Sequence, residues 1–446
     1  MVSRILFEFR SNIKGKLVNE THALTVTVPG AAAAWVDIVE KFGTLSLAEV
    51  LAPAVQMAEE GCAVQEMVAM SWGASEELLL RQGAKDLLVD GKRAPKTGDK
   101  WRNPKLAYAL RKLGSEGKKG FYSGEIAESI VQEVAKRGGV MAMDDLASHE
   151  SVFEEPISTT FGGVTVNECA PNGQGLVALI ALNILEELNL STVKSEAERM
   201  HLQIESLRLA FADAFRFIGG ASKKEEINAL LSKSYAKQRA QLVSRFTAME
   251  HVEHGSPVLF SNTVYFAVAD RFGNSVSMVN SNYMGFGTGI AVFGFSLQNR
   301  GHNFLFIEDA AHPNAVQGGK RPYHTIIPGM LTRQSELVGA FGVMGGFMQP
   351  QGHLQVICNL FLRGMSPQPA LNWPRFCIDE SGEILYEPGI EDQVIDQLKQ
   401  MGHRMRKLES PITRRMFGRG QIILKTENGG WVAGSETRCD GGAIGM

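Results

Sequence analysis

Thr263 lies where a polar loop changes into a predicted strand, and this position suggests nucleophilic chemistry. The stretch "TAMEHVEHGSP" before it has no apolar period and is predicted to be an exposed loop, whereas "TVYFAVAD" alternates like a strand. A threonine hydroxyl within a chain is a weak nucleophile. If the peptide bond between Asn262 and Thr263 broke, the new α-amine, with a pKa near ~7.7–8.0, would accept the hydroxyl proton. The junction therefore raises the hypothesis of a chain that cuts itself before Thr263.

Such chemistry also needs amide donors that stabilise the negative charge developing on the attacked carbonyl oxygen. The glycine-rich turn "GVMGGF", which contains Gly345 and Gly346, is a candidate source of these donors. The strand that starts at Thr263 is followed by the turn "RFGN" and the return strand "SVSMVNS", which together predict a hairpin. Spacing alone does not show whether the hairpin and the glycine turn meet.

The elements before the hairpin are predicted to be mostly helical. "SLAEVLAPAVQMAEEG" and "SEAERMHLQIESLRLAFADAFRFIGG" each begin with a capping box and stop near a glycine. "SGEIAESIVQEVAKRGG" places Ile126, Ile130 and Val134 on one helix face. We therefore divide the chain into a mostly helical large-subunit region, residues 1–262, and a strand-rich small-subunit region, residues 263–446, which starts at the candidate nucleophile.

Composition argues against several classes of partner. The net charge of −3 comes from acids and bases mixed along the chain, so no nucleic-acid partner is expected. The five cysteines lie far apart without a CxxC pair, which favours reduced thiols over disulfides or a zinc site. No apolar run is long enough for a signal peptide or a membrane span, so we expect a cytoplasmic location and no membrane partner. No metal and no organic cofactor are implied.

The stretch "PNGQGLVAL" offers a different interpretation, because Gly173-x-Gly175-x-x-Ala178 superficially resembles a dinucleotide fingerprint. That fingerprint requires a second strand that ends in an acid about 20 residues later. Another helix start follows instead, so a glycine loop beside some other site is the preferred interpretation.

Many segments in one order resemble the γ-glutamyltranspeptidase family of N-terminal-nucleophile hydrolases. They include "TVPGAAAAW", "FGTLSLAEVLAPAVQMAEEG", "ECAPNGQG", "NTVYFAVADRFGNSVSMVNS", "NAVQGGKRP" and "CDGGAIGM". The resemblance implies an α+β fold, a four-layer αββα sandwich. It also implies one precursor that cleaves itself into two subunits, which stay together as a heterodimer. Whether such heterodimers pair further is open.

The resemblance also implies roles for individual residues. Thr263 falls on the family's nucleophile, so cleavage is expected between Asn262 and Thr263. Gly345 and Gly346 fall on the glycine pair whose N–H groups form the oxyanion hole. Ser281 falls where the family has a threonine hydroxyl that hydrogen-bonds the nucleophile.

The predicted substrate pocket departs from the glutathione-using members. Asn303 replaces an aspartate that holds the substrate amine, and His324 and Thr325 replace a serine pair that holds its carboxylate. Arg300 stands where those members have a glutamine, and Tyr283 where they have an asparagine. Arg300 offers a bidentate partner for a carboxylate. The pattern is similar to the branch that contains oxamate amidohydrolases and γ-glutamyltranspeptidase-like proenzymes, so the expected substrate is a small-molecule amide, γ-glutamyl or another small acyl.

Family members also carry a longer stretch before "TVPG", so we expect the N-terminal portion of the sandwich to be incomplete. Three interpretations remain open: a self-processing amidohydrolase or acyltransferase acting through an acyl-enzyme on Thr263, a non-catalytic paralogue, and a nucleotide-binding protein that uses the Gly173 loop.

Overall fold

The computed structural model describes residues 19–250, 263–307 and 309–446, apart from the side chains of residues 411 and 412. Asn262, the residue before the predicted cleavage point, lies outside the described residues. Among the described residues, no helix has the length and apolar character needed to cross a membrane.

Helices and strands alternate irregularly along the chain. The helices are α1 Ala31–Phe42, α2 Leu47–Glu60, α3 Glu66–Gly73, α4 Glu76–Gln82, α5 Pro104–Glu116, α6 Lys118–Tyr122, α7 Glu125–Lys136, α8 Met143–Ala147, α9 Gly175–Glu187, α10 Glu196–Phe217, α11 Lys224–Leu230, α12 Lys233–Ala240, α13 Met348–Phe361, α14 Pro367–Asn372, α15 Asp392–Gln400 and α16 Pro411–Arg414. The strands are β1 Cys62–Ala63, β2 Lys100–Trp101, β3 Ile157–Phe161, β4 Val164–Glu168, β5 Thr263–Ala269, β6 Ser275–Ser281, β7 Ala291–Val292, β8 Phe295–Ser296, β9 Gly329–Arg333, β10 Glu336–Met344, β11 Phe376–Ile378, β12 Ile384–Tyr386, β13 Met405–Lys407, β14 Arg419–Lys425 and β15 Trp431–Ser435.

The three helices that the sequence analysis predicts, α2, α7 and α10, lie in the predicted segments. Ser46 and Glu49 form a reciprocal capping box at the start of α2, which ends at Gly61 with a φ of 88°. The Ser195 hydroxyl accepts from the N–H of Glu198 at the start of α10. The predicted face of α7 is buried at Ile126, Ile130 and Val134.

The chain divides into two compact units. The first contains residues up to Phe153 together with Asn282–Phe306, and the second contains Glu154–Ser281 and Ile307–Met446. This division describes packing and does not test the predicted subunit boundary before Thr263, which stays a prediction.

The first unit is a helical body. Helices α1, α5, α6, α7 and α8 bury a cluster that also takes in apolar residues around β7 and β8. The tight Gly294 turn between β7 and β8 has a φ of 77° and packs on Asn103, whose amide donates to the Gly294 carbonyl over 2.7 Å.

The second unit is built on an antiparallel six-stranded sheet with the order β15-β14-β10-β9-β4-β3. Helices α9 and α13 pack against this sheet, and α10 lies against α9. Phe341 and Val343 of β10 belong to this core. Because side chains alternate along a strand, Gly342 and Met344 face the opposite side of the sheet.

The hairpin of β5 and β6 packs on that opposite side. A Cβ atom at Gly342 would lie 2.4 Å from the ring of Tyr265, so the absence of a side chain allows β5 to approach β10 closely. Thr263 and Tyr265 of β5 are buried, whereas Val264 between them is exposed. This alternation confirms the predicted strand and turns Thr263 toward the six-stranded sheet.

Candidate active site

Thr263 and Ser281 are direct partners in the hairpin. Thr263, the first residue of β5, pairs with Ser281, the last residue of β6. The Thr263 hydroxyl donates to the Ser281 hydroxyl over 2.9 Å, and Thr263 is only 4% exposed. A hydroxyl held in this way has a defined orientation, which a nucleophile needs for attack on a carbonyl carbon.

The glycine turn lies between β10 and α13. Gly345 and Gly346 have φ values of 142° and 60°, a backbone region that residues with a Cβ rarely adopt. The Gly345 carbonyl accepts from the N–H of Met348 over 3.0 Å, at the start of α13. Because N–H and C=O point in opposite directions across a trans peptide, the Gly346 N–H points away from α13. The N-terminus of α13 also places partial positive charge beside the turn. Both features suit an oxyanion site.

A small apolar cluster joins the segments that carry the predicted catalytic groups. Its buried members are Tyr265, Val279 and Met344, with Ile326 packed against them. Tyr265 lies two residues after Thr263, and Val279 lies two residues before Ser281. Met344 directly precedes the glycine turn. The hairpin and the turn are thus held against each other by shared packing.

His324 and Thr325 directly precede Ile326, so the same cluster anchors their segment. Thr325 is fully buried and His324 is partly exposed. The His324 N–H donates to the carbonyl of Asn172 over 2.8 Å, and the His324 carbonyl accepts from the N–H of Gln174 over 3.0 Å. The segment is therefore paired with the loop that follows β4.

Tyr283, Arg300 and Asn303 belong to the first unit, unlike the other predicted site residues. Arg300 is 3% exposed, and its guanidinium carbon lies 4.7 Å from the centre of the Tyr283 ring, a cation–π contact. Burial lowers the pKa of Arg300 to about 10, so the guanidinium stays charged at neutral pH. Burial raises the pKa of the Tyr283 hydroxyl. The backbone of Tyr283 has a φ of 73°, in the left-handed region. Asn303 ends a short 3-10 helix, Arg300–Asn303, and is partly buried.

A family model described as gamma-glutamyltranspeptidase matches residues 3–446. The chain belongs to the γ-glutamyltranspeptidase family. It is 30% identical over 431 residues to the glutathione hydrolase-like YwrD proenzyme of Bacillus subtilis, covering 94% of this chain and 81% of that protein. It is 28% identical over 434 residues to the oxamate amidohydrolase proenzyme of Klebsiella pneumoniae, covering 94% of this chain and 81% of that one.

Among solved structures, the cephalosporin acylase from Bacillus halodurans matches with a TM-score of 0.87 and 39% identity, covering 96% of this chain and 80% of that chain. The predicted α+β fold of the N-terminal-nucleophile hydrolase type is confirmed. Family members are enzymes, and the curated relatives named above are proenzymes. The chain is therefore a γ-glutamyltranspeptidase-like amidohydrolase. The roles of its individual site residues stay predictions.

The Gly173 loop does not have the geometry of a phosphate cradle. The N–H of Gly173 donates to the Ala170 carbonyl over 3.2 Å, and that of Gln174 donates to His324. A Cβ atom at Gly175 would lie 2.5 Å from that of Glu168, so this glycine serves close packing of α9 on β4. Because these amides are used within the fold, the loop gives no support to nucleotide binding in this family member.

Two residues near the glycine turn escaped the sequence analysis. Glu168, at the end of β4, contacts His353 of α13, with Oε1 and Nδ1 2.6 Å apart and both side chains buried. His353 Nε2 accepts a hydrogen bond from the N–H of Val343 over 3.1 Å. The ring proton therefore lies on Nδ1, which donates a hydrogen bond to Glu168 Oε1. Burial raises the pKa of Glu168. The sequence "QPQGHLQ" around His353 contains no signal that its partner, Glu168, lies 185 residues earlier in the chain.

One buried group in the described residues has the side-chain types of a metal site. Ligand atoms of His201, Glu205 and His403 lie within 4.8 Å of one another. Hydrogen bonds already engage these atoms: His201 Nδ1 and His403 Nε2 are 2.8 Å apart, and His201 Nε2 donates to the Ser244 carbonyl. Glu205 accepts from Arg208 and from a backbone N–H. The arrangement fits a hydrogen-bonded core cluster, and the expectation of no metal stays a prediction.

Proposed function

We propose that this family member cleaves its own chain between Asn262 and Thr263 and then uses Thr263 to form an acyl-enzyme with small-molecule amides. The observation that carries this proposal is that Thr263 is the buried first residue of β5 and that its hydroxyl donates to Ser281 over 2.9 Å. The packing of the same strand against the segment that leads into Gly345 and Gly346 supports it.

The proposed reaction has two halves. The Thr263 hydroxyl oxygen attacks the amide carbonyl carbon, and its proton passes through the new α-amine to the departing amine nitrogen. The N–H groups of Gly345 and Gly346 stabilise the negative carbonyl oxygen. The carbon–nitrogen bond then breaks and leaves an ester on Thr263. Water attacking this ester gives hydrolysis, and an amine attacking it gives acyl transfer.

The proposed subunits follow from this cleavage. Residues 1–262 form the large subunit and residues 263–446 form the small one, and the two stay associated as a heterodimer. The second compact unit supports the association, because it contains residues from both sides of the cleavage point. Cleavage of the peptide bond before Thr263 leaves the packing of Tyr265, Val279 and Met344 in place.

The proposed substrate carries a carboxylate but no α-amine beside the acyl group. Arg300 is a buried cation that matches a carboxylate, while Asn303 offers no negative charge to an ammonium group. An ammonium that loses an anionic partner loses a bond worth about 1.5–3 kcal/mol. We therefore expect glutathione and γ-glutamyl-p-nitroanilide to be poor substrates compared with the monoamide of a small dicarboxylic acid.

The test is a denaturing gel and an amidase assay on three proteins. The wild type, 48.6 kDa as one chain, should give fragments of roughly 29 and 20 kDa, with Thr263 as the new N-terminus. Thr263→Ala should stay intact and inactive, whereas Thr263→Ser keeps a hydroxyl and should retain part of both activities. An intact wild-type chain after long incubation, or wild-type turnover by Thr263→Ala, would refute the proposal.

A further inference from the structure

Gln174 occupies the last position before α9, in the loop that follows β4, and its side chain is fully buried. Its amide nitrogen donates two hydrogen bonds, to the Thr325 carbonyl over 2.7 Å and to the Gly346 carbonyl over 2.8 Å. Its amide oxygen accepts from the Tyr323 hydroxyl over 3.2 Å. The side-chain amide of Gln174 therefore contacts both the His324–Thr325 segment, which is predicted to line the substrate pocket, and the glycine turn.

We propose that Gln174 is a positioning residue, which holds the Gly346 peptide of the oxyanion turn in register with the His324–Thr325 segment of the substrate pocket. This inference rests on the proposed function of those two segments. The hydrogen bonds of the Gln174 side chain go to backbone carbonyls and to the Tyr323 hydroxyl, so Gln174 is not proposed to contact the substrate. It acts through the backbone carbonyls of Thr325 and Gly346.

The geometry explains why this contact matters for the Gly346 N–H. Gly346 lies between two peptide planes, and glycine has no Cβ to limit rotation of either. The plane before it is fixed by the bond from the Met348 N–H to the Gly345 carbonyl. The plane after it is fixed by Gln174 and by the Gln349 N–H, 3.1 Å from the Gly346 carbonyl. The Gly346 N–H lies in the first of these planes. Fixing the second plane as well prevents the turn from rotating about Gly346, so the first plane and its N–H keep their orientation.

Only a primary amide of this length meets the requirement. Two carbonyl oxygens need two N–H donors on one atom, while the Tyr323 hydroxyl needs an acceptor. Glutamate supplies no donor when ionised, and methionine supplies neither group. Asparagine is one methylene shorter and would not reach both carbonyls from the same backbone position.

The first test compares Gln174→Met with Gln355→Met as a matched control. Gln355 of α13 is also buried, and it likewise donates twice to carbonyls, those of Gln351 and Phe376, and accepts once, from the Phe376 N–H. Both variants should lose comparable thermal stability. Only Gln174→Met should lower kcat, by about 10- to 100-fold, because a misplaced oxyanion donor weakens transition-state binding.

A pH profile separates positioning from general packing. In Gln174→Glu, the new carboxyl would lie against two carbonyl oxygens, which raises its pKa. Once protonated, it can donate one of the two lost bonds. The ratio of variant to wild-type kcat should therefore rise as pH falls, whereas the ratio for Gln174→Met should stay flat.

Hydrogen exchange gives a result that does not depend on activity. Gln174→Met should accelerate amide exchange in residues 323–327 and 343–349, and Gln355→Met should leave exchange in both segments unchanged. Unaltered exchange in both segments would overturn the inference, as would equal kcat losses in the two methionine variants. If the wild type is neither cleaved nor active while exchange responds as expected, the proposed function fails and the tethering by Gln174 stands.

Discussion

The hydrogen bond between Thr263 and Ser281 gives a sharp prediction about catalysis. In Ser281→Ala, the Thr263 hydroxyl loses the acceptor that lies 2.9 Å away. A hydrogen bond of this type contributes about 0.5–1.5 kcal/mol. Since about 1.36 kcal/mol corresponds to a factor of ten in rate, kcat should fall about 2- to 13-fold. KM should change little, because this hydrogen bond is proposed to orient the nucleophile and not to bind the substrate.

The same hairpin offers a matched control. Ser277 of β6 shares a hydrogen bond of 3.0 Å with the Tyr265 hydroxyl of β5, so Ser277→Ala also removes one hydroxyl bridge between these strands. Both alanine variants should lose similar unfolding free energy in urea. Ser281→Thr keeps a hydroxyl and should retain most of the wild-type kcat.

The assay is steady-state kinetics on the processed enzymes with one chromogenic amide, together with the rate of self-cleavage in freshly purified precursor. If Ser281→Ala and Ser277→Ala have the same kcat within twofold, the Ser281 hydroxyl has no part in catalysis. A fall of more than a thousandfold would also contradict the reasoning, because it would assign Ser281 a role larger than one hydrogen bond.

Three further predictions concern pH, packing and charge. Burial lowers the pKa of His403 from 6.5 to about 3, so the unfolded chain binds a proton that the folded chain does not. The free energy of unfolding should therefore fall as the pH drops below about 6.5, by about 2 kcal/mol at pH 5. Urea melts at pH 7 and pH 5 should show a smaller loss of unfolding free energy for His403→Gln than for the wild type. Gly342→Ala should cost about 1–3 kcal/mol, because its Cβ would meet the Tyr265 ring at 2.4 Å, whereas Gly442→Ala, with nothing within 4 Å, should be neutral in the same melts. Arg300→Met should raise KM for a carboxylate substrate more than for its methyl ester, and equal effects on both would exclude a carboxylate contact.

Local signals in the sequence were sufficient for several individual elements. The capping box at Ser46, the alternation from Thr263 to Ala269 and the glycine pair each depend on residues close together in the chain. These signals follow from backbone geometry and hydrogen bonding over a few residues, so they predicted helix ends and a hairpin correctly.

Contacts between distant segments had no such signal. Glu168 and His353 are 185 residues apart, and Gln174 and Gly346 are 172 apart. A buried glutamine has no periodicity, and "PNGQG" is equally compatible with a turn, a phosphate loop or a tether. The predicted pocket residues came from a family resemblance, and sequence spacing did not reveal that Tyr283 and Arg300 stack.

The apolar cluster around Tyr265 would keep the proposed site in place if the chain is cut before Thr263. Tyr265 and Val279 fix the hairpin on the sheet through side chains that lie after the cleavage point, and Met344 and Ile326 do the same for the glycine turn and the pocket segment. Gln174, which precedes the cleavage point, is held by bonds to Thr325 and Gly346 rather than by the bond that breaks. The groups proposed for catalysis are therefore positioned before the proposed cleavage, which would mainly add the free α-amine that makes Thr263 an effective nucleophile.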